Sequence, residues 1–295
     1  MAKLVLSLDG GGIRGAATAE FLKLLEKKLG RSLYETFDMF AGTSTGGIIA
    51  VALGVAKMKG PKIAELYNYK NGNTIMNKST WDRMLGVVQT KPKYNGKGKR
   101  KVLREYFGKR LLSSAKKPTL VVTYDVVKRK SAVLKSTDKK RILAVDAVDA
   151  TSAAPTYFPT AKVGQKWLID GGVIANNPAM CAYAEACKMW PGKEIKVLSV
   201  GTGSNTRAID GKASQGYGAL EWFRHDLLGI VMDESVVEYQ MKTIMGKKKY
   251  LRVNSTLDYV NDDMDDCSHG NIDNLKRLGK EWFERFGDQA KELLS

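Results

Sequence analysis

A serine between two glycines is the first feature of this sequence that can do covalent chemistry. Gly42-Thr-Ser44-Thr-Gly46 fits the pattern Gly-x-Ser-x-Gly, with apolar residues before it and an apolar run after it. This context predicts a nucleophile elbow, a tight strand-to-helix turn that needs glycines at Gly42 and Gly46 and exposes the serine hydroxyl. Ser44 is therefore a candidate nucleophile for acyl transfer. The alternative is a turn of small residues that leads into a buried helix.

A serine nucleophile needs a base, and the sequence offers two kinds. Asp170 ends a short apolar strand and is followed by two glycines, which leave space around its carboxylate. A carboxylate within hydrogen-bond distance of the serine can accept its proton. The histidines are His225, in a helical stretch, and His269, in an acidic loop. Because Ser44, Asp170 and His269 follow the chain order of an α/β-hydrolase triad, a Ser–Asp–His esterase stays open beside a Ser–Asp pair.

A glycine-rich loop near the start of the chain predicts a site for an anion. Residues 9–15, Asp-Gly-Gly-Gly-Ile-Arg-Gly, lie between a predicted strand and a predicted helix and match the dinucleotide-binding pattern Gly-x-Gly-x-x-Gly. That pattern also requires an acid at the end of the second strand, whereas Glu35 comes before that strand. Backbone amides at the start of a helix suit the oxyanion of acyl transfer equally well.

Alternating strands and helices must position these groups. The pattern predicts an α/β fold with a mostly parallel central sheet and helices on both faces, and no linker or repeat divides residues 1–295, so we expect a single domain. The predicted strands are 3–8, 37–41, 119–124, 132–135, 166–169, 195–200 and 249–254. The predicted helices are 16–29, 46–57, 142–151, 178–189, 219–246 and 271–287.

The positive charge of the chain is concentrated in its middle. The formal net charge is +17, and residues 88–141 alone hold 18 basic and 3 acidic side chains. Six of these cations fall in residues 91–101, which predicts a solvated loop there. A basic segment at 88–141 indicates an anionic partner, so a nucleotide- or nucleic-acid-binding protein is an alternative function. Few aromatic residues accompany the cations, which argues against base stacking.

Several classes of protein are excluded or disfavoured by composition. The longest apolar run has about ten residues, whereas a membrane-spanning helix needs about 20. The three cysteines include no Cys-x-x-Cys pair, which argues against a disulfide framework and a structural zinc. We expect no metal and no cofactor. No secretory signal is recognised at the N-terminus, so a cytoplasmic location is expected.

Three motifs together resemble the patatin-like phospholipases in type, order and spacing. They are residues 9–15, residues 42–46 and Asp170-Gly-Gly, and the likeness covers about residues 3–280. The resemblance implies the patatin-like fold and a lipid acyl hydrolase of the phospholipase A type. It implies Ser44 as the nucleophile and Asp170 as the base of a dyad that needs no histidine. It also implies an oxyanion hole built by the amides of Gly10, Gly11, Gly12, Ile13 and Arg14.

The resemblance extends to partners. Some bacterial members of this family are membrane-degrading effectors that cyclic oligonucleotides switch on in anti-phage defence. The expected partners are therefore a phospholipid membrane, bound peripherally at the inner membrane by the active enzyme, and a cyclic oligonucleotide activator, without a stable nucleic-acid complex. Two alternative roles are predicted for Arg14. Its side chain binds a phosphate head group, or its backbone serves the oxyanion hole while the side chain fastens a loop.

Overall fold

A mixed sheet runs through the centre of the fold. The computed structural model describes residues 1–77, 91–205, 207–225 and 227–295. Within these residues the sheet has eight strands. They are β1 (Lys3–Leu8), β2 (Met39–Thr43), β3 (Thr119–Asp125), β4 (Lys130–Lys135), β5 (Ala161–Val163), β6 (Lys166–Asp170), β7 (Ile195–Val200) and β8 (Tyr250–Val253).

Helices fill most of the intervals between the strands. Several consist of one or two turns, and the longest closes the chain. They are α1 (Gly15–Leu29), α2 (Leu33–Thr36), α3 (Thr45–Gly54), α4 (Gly60–Ala64), α5 (Tyr69–Ile75), α6 (Lys97–Phe107), α7 (Ala144–Thr151), α8 (Gly172–Ala175), α9 (Ala179–Met189), α10 (Ala219–Arg224), α11 (Leu227–Val231), α12 (Ser235–Met245) and α13 (His269–Leu293).

The sheet combines a parallel centre with an antiparallel edge. Strands β3, β2, β1, β7 and β8 are neighbours in that order and run parallel. Strands β4 and β6 pair antiparallel with β3, and β5 pairs antiparallel with β6. The first half of β3 pairs with β2, and its last three residues pair with β6. Strand β3 therefore joins the parallel centre to the edge that carries Asp170.

Helices cover both faces of this sheet, which confirms the predicted α/β architecture. Alternate strand residues point to opposite faces. Leu6 and Leu8 of β1 join the core cluster that includes α1, α3, α7 and α13, while Val5 joins the cluster formed with α9 and α12. Helix α3 is buried on every side. This agrees with its apolar run at residues 47–56, because a helix that is apolar all round needs packing partners all round.

Two predicted elements differ from the structure. The expected loop at 91–101 is wrong in its second half, because α6 begins at Lys97 and buries Val102, Leu103 and Phe107 on one face. The predicted helix at 219–246 is divided into α10, α11 and α12. The break before α12 coincides with Glu234, whose side chain accepts hydrogen bonds from Asn176, Arg252 and Asn254. No helix among the described residues is long and apolar enough to cross a membrane.

Candidate active site

The glycine-rich loop and the serine turn meet at one edge of the sheet. Strands β1 and β2 are parallel neighbours in which Leu8 pairs with Gly42, so the segments that follow them leave the sheet side by side. The contact between them is tight. A Cβ atom built on Gly10 would lie 3.2 Å from the Cβ of Ser44, and one on Gly46 would lie 2.1 Å from the carbonyl oxygen of Leu8. Glycine is therefore required at Gly46 for the two loops to pack, and at Gly10 because a Cβ there would also lie 2.2 Å from Oδ1 of Asn176.

Ser44 has the strained backbone that a nucleophile elbow requires. Its φ is 53° and its ψ is −121°, in a region that residues with a Cβ rarely occupy. A Cβ on Gly42 would lie 2.2 Å from the carbonyl oxygen of Gly46, which explains the first glycine of the motif. The Ser44 amide donates to Oγ1 of Thr151 at 3.0 Å, and that hydroxyl donates to the carbonyl of Val122 at 2.6 Å. Helix α7 and strand β3 thus hold the turn.

Asp170 lies at the end of β6 and shares a pocket with Ser44. Its side chain is buried, and its Oδ1 accepts the Gly172 amide at 2.8 Å. Among the described residues, no atom forms a hydrogen bond of ordinary geometry with Oδ2. Burial raises the pKa of Asp170 to about 6, although the nearby Ser44 hydroxyl, the Gly172 amide and the charge of Lys99 lower it. A carboxylate with one free oxygen and a raised pKa is suited to accept a proton.

Some backbone amides of the glycine-rich loop already donate hydrogen bonds, and others do not. Gly10 donates to the carbonyl of Asn176 at 3.2 Å, Ile13 to that of Met264 at 2.9 Å, and Arg14 to that of Gly11 at 3.1 Å. Within the described parts of the chain, the amides of Gly11 and Gly12 donate to no acceptor. Of the five amides expected to form an oxyanion hole, these two have no acceptor among the described residues, and Gly12 lines the pocket of Ser44.

Arg14 contributes to the loop through its side chain. Its Nε donates to the carbonyl of Gly11 at 3.3 Å, and its amide is bonded to the same oxygen. Arg14 also lines a second, more polar cavity, which shares Tyr157, Met232 and Met264 with the pocket of Ser44. These contacts agree with a side chain that fastens the loop, but the Arg14 amide already donates to Gly11, so the backbone half of that role does not agree with them.

The pocket that contains Ser44 and Asp170 is mainly apolar. It lies between the glycine-rich loop, the start of α3, α5 and α6. Its aliphatic, aromatic and sulfur-containing lining is Ile13, Ile48, Leu66, Tyr67, Ile75, Met76, Val102, Leu103, Tyr157, Phe158, Met232, Met264 and Cys267. Such a lining suits a hydrocarbon chain beside a small set of polar groups.

A lysine that the sequence analysis assigned to a solvated loop lies in this pocket. Lys99 is 3% exposed. Its Nζ donates to the carbonyls of Asp149 and Ser152 at 3.0 and 2.9 Å and pairs with the Asp149 carboxylate at 3.1 Å. Burial lowers its pKa against the opposing effect of Asp149, and its charge also acts on Asp170. Helical spacing could have revealed it, because Lys99, Val102 and Leu103 fall on one face of α6.

Asp9, the first residue of the glycine-rich loop, belongs to a buried charge network. Its Oδ2 accepts from Arg252 at 2.5 Å, and Arg252 also pairs with Glu234 at 3.2 Å. Glu234 in turn accepts from the side-chain amide of Asn176 at 3.1 Å. Burial raises the pKa of Asp9 to about 7 although Arg252 lowers it. The network connects the loop, the segment after Asp170 and the start of α12.

The two histidines lie outside the pocket of Ser44. His225 stacks on Tyr217 with the ring centroids 4.5 Å apart, and His269 contacts the ring of Tyr69 at the start of α13. Neither arrangement gives Asp170 a histidine partner. The described residues also contain no group of three or more His, Cys, Asp or Glu side chains placed to hold a metal ion.

Known proteins share sequence similarity with most of this chain. A family model described as patatin-like phospholipase matches residues 6–183. The chain is 29% identical to patatin-like protein 2 of Oryza sativa subsp. indica, over 94% of this chain and 82% of the rice protein. It is 30% identical to a cGAMP-activated phospholipase of Pseudomonas aeruginosa, over 83% of this chain and 76% of that protein.

A solved structure shows the same fold at low sequence identity. The crystal structure of VipD from Legionella pneumophila superposes with a TM-score of 0.50 at 12% identity, over 95% of this chain and 67% of that one. The family model includes the glycine-rich loop, the serine turn and Asp170. This chain belongs to the patatin-like phospholipase family, which supports lipid acyl hydrolysis as its activity.

Proposed function

We propose that this chain hydrolyses acyl esters of glycerophospholipids, with Ser44 as the nucleophile and Asp170 as the general base. The observation that carries the proposal is that Ser44, Asp170 and Gly12 line one apolar pocket. The strained turn at Ser44 and the free Oδ2 of Asp170 support these roles. Family membership supports a lipid as the substrate.

In the first half-reaction, Asp170 accepts the proton of the Ser44 hydroxyl as Oγ attacks the ester carbonyl carbon. The carbonyl oxygen becomes an oxyanion and accepts hydrogen bonds from the free amides of Gly11 and Gly12. Collapse of this tetrahedral intermediate breaks the bond to the ester oxygen. The leaving lysophospholipid alcohol takes the proton from Asp170, and the acyl group stays on Ser44.

In the second half-reaction, water replaces the alcohol. Asp170 accepts a proton from the water as its oxygen attacks the acyl carbonyl, and the same two amides stabilise the second oxyanion. When this intermediate collapses, the proton returns from Asp170 to Oγ of Ser44 and the fatty acid leaves. The apolar lining of the pocket binds the acyl chain in both steps, since it offers little to a charged substrate.

A phospholipid hydrolysis panel tests this proposal. We expect the wild type to release fatty acid, and Ser44→Ala and Asp170→Asn each to lose at least about 10³-fold in kcat/KM. Ser7→Ala is the matched control, because Ser7 is buried on β1, its hydroxyl has no hydrogen-bond partner among the described residues, and it does not line the pocket. A Ser44→Ala protein that still releases fatty acid would exclude Ser44 as the nucleophile.

The histidine triad is tested with the same panel. Because His225 and His269 lie outside the pocket, a His225→Ala/His269→Ala protein is expected to keep the wild-type rate within about twofold. A loss comparable to that of Ser44→Ala would instead favour the Ser–Asp–His mechanism.

We also propose that a cyclic oligonucleotide activates this hydrolysis and that the active protein works peripherally on the inner membrane from the cytoplasm, in anti-phage defence. The support is the similarity to a phospholipase described as cGAMP-activated. Hydrolysis of vesicles is expected to rise when cGAMP is added to the wild type and to stay at background with Ser44→Ala. Equal rates with and without cGAMP and other cyclic dinucleotides would exclude this regulation.

A further inference from the structure

The turn between β3 and β4 exposes apolar and basic side chains together. Val126 and Val127 are 36% and 69% exposed at the start of the turn, and Lys128, Arg129 and Lys130 follow them. Trp167 at the start of β6 is 43% exposed and adjoins the turn, because the Val126 amide donates to its carbonyl at 3.0 Å. We refer to residues 126–130 with Lys162, Lys166 and Trp167 as the hairpin patch.

The cations of the hairpin patch are not neutralised. In the described parts of the chain none of its five cations has an ion-pair partner, whereas Lys135 and Lys140 of the same basic segment pair with Glu185 and Asp138. Lys162 instead lies over the Trp167 ring, with its Nζ 5.4 Å from the centroid. The nearby acid Asp125 is buried, and its Oδ1 accepts the amides of Val127 and Lys128. Asp125 therefore holds the turn in shape.

The hairpin patch projects from the edge of the sheet that carries the candidate active site. Thr43, which precedes Ser44, pairs with Val122, and β3 continues three residues further to Asp125. At about 3.3 Å per residue, the turn begins about 10 Å beyond the level of Ser44. Trp167 precedes Asp170 by three residues on β6. The patch thus lies beyond the same end of the sheet from which Ser44 leaves β2, about 10 Å further along β3.

We propose that the hairpin patch docks the protein on the anionic surface of a phospholipid membrane. Unpaired lysines and arginines are attracted to anionic head groups, and tryptophan prefers the membrane–water interface. Exposed valines at the tip of a turn gain by entering the apolar layer. A nucleic acid would meet the same cations but would use only one aromatic ring for stacking and neither valine. This inference rests on the proposed lipid hydrolysis, and it gives part of the basic segment 88–141 a role.

Vesicle sedimentation with matched charge reversals tests the docking surface. Wild-type protein is expected to bind vesicles of phosphatidylcholine with phosphatidylglycerol, to release them at high salt, and to bind pure phosphatidylcholine weakly. Lys128→Glu/Lys130→Glu is expected to weaken binding at least about tenfold. Lys116→Glu/Lys139→Glu changes the net charge equally at exposed positions near the other end of strands β3 and β4, away from their turn, and is expected to bind as the wild type does. Equal weakening in both double variants would overturn the proposal.

Two further measurements test whether Trp167 enters the membrane and whether the charge reversals affect docking without affecting ester hydrolysis. The tryptophan emission of the wild type is expected to shift to the blue on anionic vesicles, and Trp167→Phe is expected to remove that shift. Hydrolysis of a soluble short-chain ester is expected to be equal in the wild type and in Lys128→Glu/Lys130→Glu, whereas hydrolysis of vesicles falls. A blue shift that persists in Trp167→Phe would place docking elsewhere on the protein.

The possible failures are distinguishable. Vesicle binding that depends on the patch, in a protein that hydrolyses no ester, would overturn the proposed function and leave the docking surface intact. If ester hydrolysis requires Ser44 but vesicle binding is unchanged by substitutions in the hairpin patch, the docking surface would be overturned and the proposed function would stand. Tight binding of single-stranded RNA without binding of anionic vesicles would overturn the membrane as partner.

Discussion

Thr151 supports Ser44 from beneath the turn, since its Oγ1 accepts the Ser44 amide at 3.0 Å and donates to the carbonyl of Val122 at 2.6 Å. Thr151→Val keeps the shape of the side chain and removes both hydrogen bonds. An unsatisfied buried amide costs about 1–3 kcal/mol. We expect a folded protein whose kcat falls about 10-fold to 100-fold, because the nucleophile is displaced from its attacking position. Ester hydrolysis measures the loss of kcat, and thermal unfolding measures the loss of stability. Thr151→Ser keeps the hydroxyl and should have most of the wild-type rate.

The pH dependence of hydrolysis should report the ionisation of Asp170. The base form is the carboxylate, and burial raises the pKa of this group to about 6. We therefore expect kcat/KM for a soluble ester to be level above about pH 7 and to fall as the pH drops through about 6. A profile measured with the wild type checks this. An acid limb centred near pH 4 would show that Asp170 has the pKa of an exposed carboxyl.

The raised pKa of Asp170 also predicts that the carboxylate needed for activity lowers the stability of the fold. Because the folded-state pKa of Asp170 lies above its unfolded value of 3.8, the favourable contribution of the protonated group is complete below that value. It is lost as the pH rises through about 6. Asp170→Asn should therefore be more stable than the wild type above about pH 7, by up to about 3 kcal/mol, and the difference should vanish near about pH 4. Denaturant unfolding at both pH values measures it, and equal stability at both would contradict the prediction.

The charge of Lys99 should contribute to the pKa of Asp170. Its charge lowers the pKa of that carboxyl, so Lys99→Met is expected to move the acid limb of the pH–rate profile to higher pH. Arg100→Met is the matched control, because Arg100 also pairs with Asp149 at 3.0 Å but does not line the pocket. It should lose stability without moving the acid limb. Lys99→Arg keeps the positive charge, so the acid limb of its pH–rate profile should lie close to that of the wild type.

Gly12 should be intolerant of any side chain. Its φ is +59°, and a Cβ there would lie 2.2 Å from the carbonyl oxygen of Met264, so the loop must move to accept one. Gly12→Ala is expected to reduce kcat about 10²–10³-fold through loss of an oxyanion donor. Gly30→Ala introduces similar backbone strain at φ +66° in open space after α1. It should cost about 1 kcal/mol of stability and leave ester hydrolysis unchanged. Equal rates in the two variants would show that the loop has another role.

The helices and strands that carry the motifs were predictable because their signals are local. Strand β1, the helix after Ser44 and strand β7 appear where apolar runs and turn residues place them. The errors arise where charged residues that predict an exposed loop belong to a helix with a buried face. Residues 97–101 look solvated in the sequence, but Lys99 is buried because Asp149 and two carbonyl groups satisfy its charge. Thr151 carries no signal at all, since its role depends on the distant Val122.

The types of the candidate reacting groups and the turns that hold them follow from the sequence alone. Glycine spacing around Ser44, the glycines after Asp9 and those after Asp170 are local requirements of backbone geometry. Which groups meet, and which amides have no acceptor among the described residues, depends on how the chain folds. Asp170 ends an antiparallel strand, and it reaches Ser44 because β3 extends past the level of Thr43 and pairs with β6 there. Such pairing depends on contacts between residues far apart in the chain, which no local pattern records.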